Sequence, residues 1–548
     1  MKKKFLHVLA LTSLMVFSQG VKATTNIYAS GLTGELQGSD YNITYVLNEV
    51  AVSGEFQVIN TDGDVIKSIP LTSLNKGANT ATIDPDDVPV GTYRWQIKVT
   101  ADGSVATPTK KTDNAWSQLQ FWAPRGVAID NNPESAYFGR VYVSETQGGT
   151  VTNRTTQNGI YILDPLFADV TSQGATSYKG GQTWNATSSP FRICVAPDGR
   201  VFMSDFSDGH SGVYIMDPAN PSGAFTQVFG GSRQTSGLFI NGGVDVGGST
   251  VHCYVTGEGE NMKLFTLDED YIPAGTGNTG NNLLQYNLGT NTSWDAAPSA
   301  VVFASKNLLL NGNCTIAPDG RGGWWIIQSR GTAEGNVSGC PSLIHINTSG
   351  AVNFNSGNNK PLVPYTVASG MAVSLDYKQL AMCTVNNTMV VYNITYDASD
   401  VPTLTTAYTI TPVLGNNTQG LAFDVAGNLY VVSNTQERLG MWALPKTENT
   451  HTTPARSIYE ITGTGTLTSL DDSSPSRFNV YPNPTRDMLT IKAEGELINT
   501  IRVFNITGGL VWVMQNVNNS EYTVDMSALP QGSYFVNINN KTVKVVKQ

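Results

Sequence analysis

One pattern recurs through the middle of the chain and limits the folds open to it. A short apolar run, a tight polar turn and a second apolar run appear as Arg192–Ala196, Pro197-Asp198-Gly199 and Arg200–Asp205. They appear again as Asn313–Ala317, Pro318-Asp319-Gly320 and Arg321–Ile326, and as Gly420–Phe423, Asp424–Gly427 and Asn428–Ser433. Looser copies start near Gly126, with the second run delayed to Arg140–Ser144, and near Gly370. Another starts near Gly237, with Val251–Val255 as its second run. A third apolar run follows several copies, as at Gly159–Asp164, Gly212–Asp217 and Met389–Asn393. Val, Ile, Tyr and Leu in short runs closed by Asp-Gly read as paired strands, because Gly supplies the positive φ of a two-residue hairpin turn.

Starts near 126, 192, 237, 314, 370 and 420 lie roughly 45–77 residues apart. A repeat of about 40–50 residues that builds one four-stranded sheet is the unit of a β-propeller, with longer spacings as loop insertions. Six copies predict six blades over residues 114–468, or seven if Gln118–Trp122 and Ser457–Ile461 share another. Only 14% of the 548 residues are charged, 54 are Gly, and runs of strong helix formers are scarce, so the whole chain is predicted to be all-β.

Residues 24–113 alternate in the same sense. Tyr41–Leu47 and Gly54–Asn60 are strand-like, Asp62-Gly63 is a turn, and Tyr93, Trp95, Ile97 and Val99 share one face. About 90 residues of this kind make a small β-sandwich. The stretch Pro89-Val90-Gly91-Thr92-Tyr93-Arg94-Trp95 resembles the last strands of the FlgD-type immunoglobulin-like module, which implies a fold and no chemistry.

Residues 1–23 read as a signal peptide. Lys2, Lys3 and Lys4 precede the apolar run Phe5–Phe17, and Val21-Lys22-Ala23 fits the small-residue cleavage pattern. The run falls short of the ~20 residues that span a bilayer, no Cys follows it, and no transmembrane segment is expected elsewhere. The five cysteines, Cys194, Cys253, Cys314, Cys340 and Cys383, are odd in number and irregularly spaced. They are expected to be buried thiols, with a Cys314–Cys340 bridge left open in an oxidising compartment. The formal charge is −10, and −14 once the four lysines of the first 23 residues are gone. Such a chain is not expected to bind nucleic acid, whose affinity comes from neutralising phosphates.

Residues 469–477 read as a polar linker. After it come Tyr481-Pro482-Asn483-Pro484, then Leu529-Pro530-Gln531-Gly532-Ser533-Tyr534, then the basic end Lys544-Val545-Val546-Lys547-Gln548. In this order, residues 478–548 resemble the type A sorting domain of the Bacteroidetes type IX secretion system. That resemblance implies a small immunoglobulin-like β-sandwich that engages the secretion machinery, leaving the protein released or attached to the outer cell surface. It implies no catalytic residue. The Ala-Pro-Asp-Gly turns are similar to those of NHL and gluconolactonase-like propellers, and that similarity concerns fold pattern only.

Catalytic motifs are absent from the sequence: no His-Glu-x-x-His, no Gly-x-Ser-x-Gly, no phosphate-binding loop. Candidate ligand-binding residues follow from architecture. In a propeller the connections between second and third strands open on one face around the axis. Glu145, Asp205, Asp208, His210, Glu258, Glu260, Gln328, Arg330, Asn386, Asn434 and Glu437 are expected there. Acids and amides converging from separate blades suit Ca²⁺, a sugar or an activated water. Among the tryptophans, at least one of Trp324 and Trp325 is expected in the core, since neighbours on a strand face opposite ways. The reading is a surface or secreted recognition module for a glycan or an extracellular protein. A metal-dependent propeller enzyme, lactonase-like or polysaccharide-cleaving, and a structural surface protein are the alternatives.

Overall fold

A computed structural model describes residues 24–548 except 172–175, 185–186, 188, 275–280, 305–307, 309–313, 330–340, 359–369, 385–386, 416–417, 466–477, 494–496, 507–508 and 540. The segments 1–23 and 469–477, read from sequence as a signal peptide and a linker, and Arg330, Cys340 and Asn386 therefore lie outside the described residues. The described regular elements are strands and single-turn 3-10 helices, so the chain is all-β. It divides into two compact units. One takes the chain up to Pro85 and from Thr92 to Thr462, and the other combines Asp86–Gly91 with Gly463–Gln548.

In the first unit the N-terminal strands form two sheets. Ala29–Gln37, Asp40–Leu47 and Gly77–Ile83 make one, and Ala51–Ile59, Val65–Pro70 and Gly91–Ala101 belong to the other. The alternation seen in sequence becomes an inward face. Trp95, Ile97 and Val99 are buried, and Trp95 stacks on Phe56 at 5.0 Å while its indole N–H donates to the Tyr41 hydroxyl at 3.2 Å. The second sheet also takes in Thr450–Pro454, which pairs with Gly91–Ala101 from more than 300 residues downstream.

Six sheets follow. Their strands, in chain order, are Pro124–Ile129, Val141–Glu145 and Gly159–Leu163 in the first. The second holds Arg192–Val195, Val201–Asp205, Gly212–Met216 and Thr226–Gln227. The third holds Thr250–Thr256, Lys263–Asp268, Asn282–Tyr286 and Ala300–Ala304. The fourth holds Cys314–Pro318, Trp324–Gln328, Leu343–Ile346 and Val352–Asn355. The fifth holds Met371–Val373, Gln379–Thr384, Thr388–Tyr396 and Pro402–Ile410. The sixth holds Thr418–Phe423, Asn428–Ser433 and Arg438–Ala443, and its fourth strand is Thr109–Lys110, which precedes the first sheet. The first strands of successive sheets lie side by side, and that of the sixth lies beside that of the first.

The layers between sheets are apolar. Cys194, Phe202 and Val213 of the second pack on Cys253, Val255 and Leu264 of the third. Trp324 and Trp325 are both buried, on opposite sides of the fourth sheet: Trp324 packs with Phe265 and Leu267, Trp325 with Leu380 and Tyr392. Cys194, Cys253, Cys314 and Cys383 are buried as expected. At the Asp-Gly turns, Gly199 and Gly320 take φ of +84° and +74°, the conformation that favours Gly.

The sequence copy starting at Gly237 is corrected. Phe239–Asn241 belongs to a separate small sheet with Ser232–Arg233 and Val244–Gly247, and Val251–Val255 lies in the first strand of its repeat, not the second. Val251-His252-Cys253-Tyr254-Val255 was misplaced because its turn, Gly257-Glu258-Gly259-Glu260-Asn261, lacks the Pro-Asp-Gly signature.

The start of the described chain is fastened by buried asparagines. Asn428 accepts from the Asn26 N–H at 3.0 Å and donates to the Asn26 carbonyl at 2.9 Å. Asn449 accepts from Ile27 N–H at 2.8 Å and donates to the Thr25 carbonyl at 2.9 Å, and Asn48 accepts from Tyr28 N–H at 2.8 Å. Each bond satisfies a backbone group of a segment that has no strand partner of its own there.

The second unit contains two sheets. Phe478–Tyr481, Met488–Ala493 and Glu521–Asp525 form one, and Leu510–Asn519, Ile498–Asn505, Gly532–Ile538 and Lys541–Lys547, in that order, the other. Leu489, Ile491, Ile501, Val503, Val524, Val536 and Val545 fill the space between. The Pro-Asn-Pro segment is tied to the last strand: Asn483 accepts from Val546 N–H at 2.9 Å and donates to the Lys544 carbonyl at 2.8 Å.

Candidate functional site: the central cavity

The six first strands enclose a cavity of about 420 Å³, in the range of small-molecule sites. All six sheets contribute, through Gly126–Ile129, Arg192–Pro197, His252, Tyr254 and Val255, Thr315–Pro318, Met371–Leu375 and Gln419–Phe423. Glu258 and Tyr377, in the turns between first and second strands, also line it. The cavity therefore reaches the end of the sheets where the Pro-Asp-Gly turns lie.

The wall is mixed, and its polar side chains stand at both ends: Arg192, His252, Thr315 and Gln419 towards the starts of the strands, and Asn131, Asn132, Ser374 and Glu258 towards the turns. Arg192 is 2% exposed. Its guanidinium donates to the Arg125 carbonyl, to the Gln419 carbonyl at 2.6 Å and to Gln419 Oε1 at 3.2 Å, linking the first, second and sixth sheets. Burial and the neighbouring Arg125 guanidinium push its pKa down to about 9. His252 is buried in the third sheet, and burial together with Arg192 pushes it down to about 3, so it is neutral at pH 7. Its Nδ1 accepts from the Ile316 N–H at 3.4 Å, which assigns the ring proton to Nε2. The Thr315 hydroxyl is buried with no hydrogen-bond partner among the described residues.

The residues expected from sequence divide between two ends of the sheets. Glu145, Asp205 and Gln328 close second strands, and Asp208, His210, Asn434 and Glu437 stand in second-to-third connections, as anticipated. Glu258 and Glu260 are corrected: they occupy a first-to-second turn, at the opposite end, because Thr250–Thr256 is a first strand. Glu145, Asp205 and Gln328 are buried and turned to local backbone and side chains rather than to a common point. Glu145 accepts from Ala123 N–H at 3.0 Å and from the Thr156 hydroxyl at 2.8 Å. Asp205 accepts from Ser207 N–H at 2.8 Å, and Gln328 donates to the Pro341 carbonyl at 2.8 Å. Asp268 ends the second strand of the third sheet in the same way, accepting from Gly248, Asp270 and Tyr271 N–H groups. Burial raises Glu145, Asp205 and Asp268 each to about 7. Asp208 is exposed, and His210 packs on Trp184 with ring centres 5.6 Å apart. Among the described residues no three His, Cys, Asp or Glu side chains gather as metal ligands, so the Ca²⁺ reading has no such ligand set behind it.

Sequence reading missed Arg192, His252, Thr315 and Gln419. Each is a polar residue inside or opening an apolar strand, as in Val251-His252-Cys253 and Cys314-Thr315-Ile316. That interruption was the available signal, since a polar group on an otherwise buried strand needs a partner or a cavity.

An all-β chain with repeated sheets around an axial cavity and a separate C-terminal sandwich defines the class. Residues 479–548 match the family model of the secretion system C-terminal sorting domain. The chain is thus one handled by the type IX secretion machinery, exported, and either secreted or held at the cell surface. No helix among the described residues is long and apolar enough to cross a membrane. No curated protein matches the chain.

Solved structures are similar at low identity. One is a protein of unknown function from Bacteroides thetaiotaomicron, 11% identical, covering 76% of this chain and 98% of its own, with a TM-score of 0.35. Another is PorZ, an essential surface component of the type IX secretion system of Porphyromonas gingivalis, 12% identical, covering 94% of this chain and 70% of its own, with a TM-score of 0.27. The soluble aldose sugar dehydrogenase of Escherichia coli is 14% identical, covering 60% of this chain and 97% of its own, with a TM-score of 0.36.

Proposed function

We propose that this is a surface or secreted recognition protein in which a six-bladed β-propeller binds a small polar ligand or the end of a glycan in its axial cavity. Immunoglobulin-like sandwiches flank the propeller, and a signal peptide of residues 1–23 is removed. The observation that carries the reading is the cavity of about 420 Å³, into which all six first strands contribute side chains. Six blades are supported by the neighbour relations of the first strands and by Thr109–Lys110 completing the last sheet.

A binding role is favoured over catalysis by the lining itself. Glu258 is its one carboxylate among the described residues, and it is exposed; His252 is buried and neutral. Hydrolysis or lyase chemistry asks for an acid and a base facing a common point. Glu145, Asp205 and Gln328 act in this reading as buried braces of the second-to-third connections, while Glu258 guards the mouth. Asp208, His210, Asn434 and Glu437 belong to the opposite face, where an extracellular protein partner would dock.

The test is thermal melting of the full chain against a panel of neutral, amino and acidic mono- and oligosaccharides. A ligand that stabilises the protein by mass action, and stops doing so when Leu375→Trp, at an exposed lining position, narrows the mouth of the cavity, supports the reading. A stabilising ligand indifferent to Leu375→Trp moves the site elsewhere, and a panel without any stabiliser removes the glycan reading.

A further inference from the structure

Two cysteines meet where the second and third sheets pack. Cys194 lies in Arg192–Val195 and Cys253 in Thr250–Thr256, the first strands of those sheets, which stand side by side without sharing a sheet. Alternate side chains of a strand turn to opposite sides. Ile193 accordingly packs with the first sheet, while Cys194 and Cys253 turn towards each other. Their Sγ atoms are 3.9 Å apart, although 59 positions of chain separate them. Both thiols are buried in an apolar layer with Phe202, Val213, Val255 and Leu264. Cys314 and Cys383 stand in other layers. The chain is exported, and disulfides form and persist outside the cytoplasm.

We propose that Cys194 and Cys253 are joined as a disulfide in the exported protein, a covalent clasp between the first strands of the second and third sheets. The sulfurs must close from 3.9 Å to about 2.05 Å, a movement that rotation about the two Cα–Cβ bonds shares between the side chains. One cysteine loses its proton, and its thiolate attacks the disulfide of a protein dithiol–disulfide oxidant met during export, expelling one oxidant sulfur. The other cysteine's thiolate attacks the cysteine sulfur of that mixed disulfide and expels the second. One S–S bond is made and one broken, and the oxidant leaves as a dithiol with two electrons and two protons. Burial and the neighbouring Cys194 raise the Cys253 thiol well above its usual pKa, and the thiolate is the reactive form. The bond therefore forms while the two sheets are still apart, and packing afterwards shields it from reductants. The loop it closes holds the rest of the second sheet and the small sheet of Ser232–Arg233, Phe239–Asn241 and Val244–Gly247.

The experiment is thiol mapping of the protein recovered outside the cells that export it, denatured with N-ethylmaleimide and no reductant, digested and analysed by mass spectrometry. None of the five cysteines lies in residues 1–23 or 479–548, so removal of either segment leaves all five in view. The expected result is a linked pair of peptides carrying Cys194 and Cys253, separated by reduction, with neither cysteine alkylated beforehand. Alkylation of both, or a link from either to Cys314, Cys340 or Cys383, overturns the proposal. Melting of the full chain refolded with glutathione disulfide, and again with a reductant, tests the clasp itself. The oxidised form should melt several degrees higher, because the bond restrains the unfolded chain, and Cys194→Ala should melt alike under both conditions. A difference in Cys194→Ala as large as in the parent assigns the stabilisation to another bond and overturns the clasp. The mapping uses the unaltered chain, so it decides the matter even where Cys194→Ala does not fold.

Discussion

Glu145→Gln is the most informative single substitution for the buried ends of the second strands. Glu145 is fully buried, and its pKa rises from 4.5 to about 7 through loss of hydration, only partly offset by bonds from Ala123 and Thr156. Because the folded state holds the proton more tightly than the unfolded chain, stability is intact below pH 4.5 and is lost as pH rises to 7. The slope approaches about 1.4 kcal/mol per pH unit, and the whole loss is about 3 kcal/mol. Gln cannot ionise, so its cost or gain is the same at every pH. Urea midpoints, followed by tryptophan fluorescence between pH 4.5 and 8, should therefore fall less steeply in the variant than in the parent. Asp205 and Asp268, raised in the same way, preserve a residual slope in both. Parallel profiles for parent and variant would refute the argument that Glu145 is protonated on folding.

Three further outcomes are expected. Asn428→Ala removes the bonds to both backbone groups of Asn26 and to Asp424, and should cost roughly 3–5 kcal/mol, with proteolytic nicking near Thr24–Tyr28 appearing before global unfolding; resistance equal to the parent would count against the fastening role. Gly320→Ala places a Cβ in a left-handed turn and against the Tyr377 ring, so the melting temperature should fall by several degrees, whereas Asp62→Ala in an exposed turn should leave it nearly unchanged. His345→Ala breaks the buried pair with Asp319, 2.9 Å away, and leaves Asp319 without the partner that holds its pKa down; stability should fall by a few kcal/mol above about pH 4, where that carboxylate is charged, and by less as pH falls below it.

How much of this was legible in the sequence depended on whether the determining interaction was local. The Pro-Asp-Gly turns, the alternation around Trp95 and the Tyr-Pro-Asn-Pro start are local signals, and the strands appear where those signals stand. The third repeat was misread because its turn is Gly257–Asn261 and because a small extra sheet, with Phe239–Asn241 at its centre, imitates a strand pair. Glu258 and Glu260 belong to that same turn, and so stand at the first-to-second end of the sheet. Pairings such as Thr109–Lys110 with Trp442 and Ala443, or Thr450–Pro454 with Gly91–Ala101, join segments whose own sequences are unremarkable. The cavity depends on Arg192 reaching carbonyls in two other sheets, a geometry no window of neighbouring residues contains.

The strand Thr109–Lys110 has a temporal meaning. It reaches the ribosome exit long before its neighbours: the Met441 N–H donates to Thr112 across 329 residues of chain. Until the last sheet is made, the early strand is an unpaired edge, and the late sheet in turn ends in an unpaired edge until the two meet. Completing the last sheet therefore needs a contact across 329 residues, a slow closure that leaves its open edge prone to pairing with a neighbouring molecule. A fragment cut at residue 114 would be left in that state permanently, however well its remaining sheets were formed.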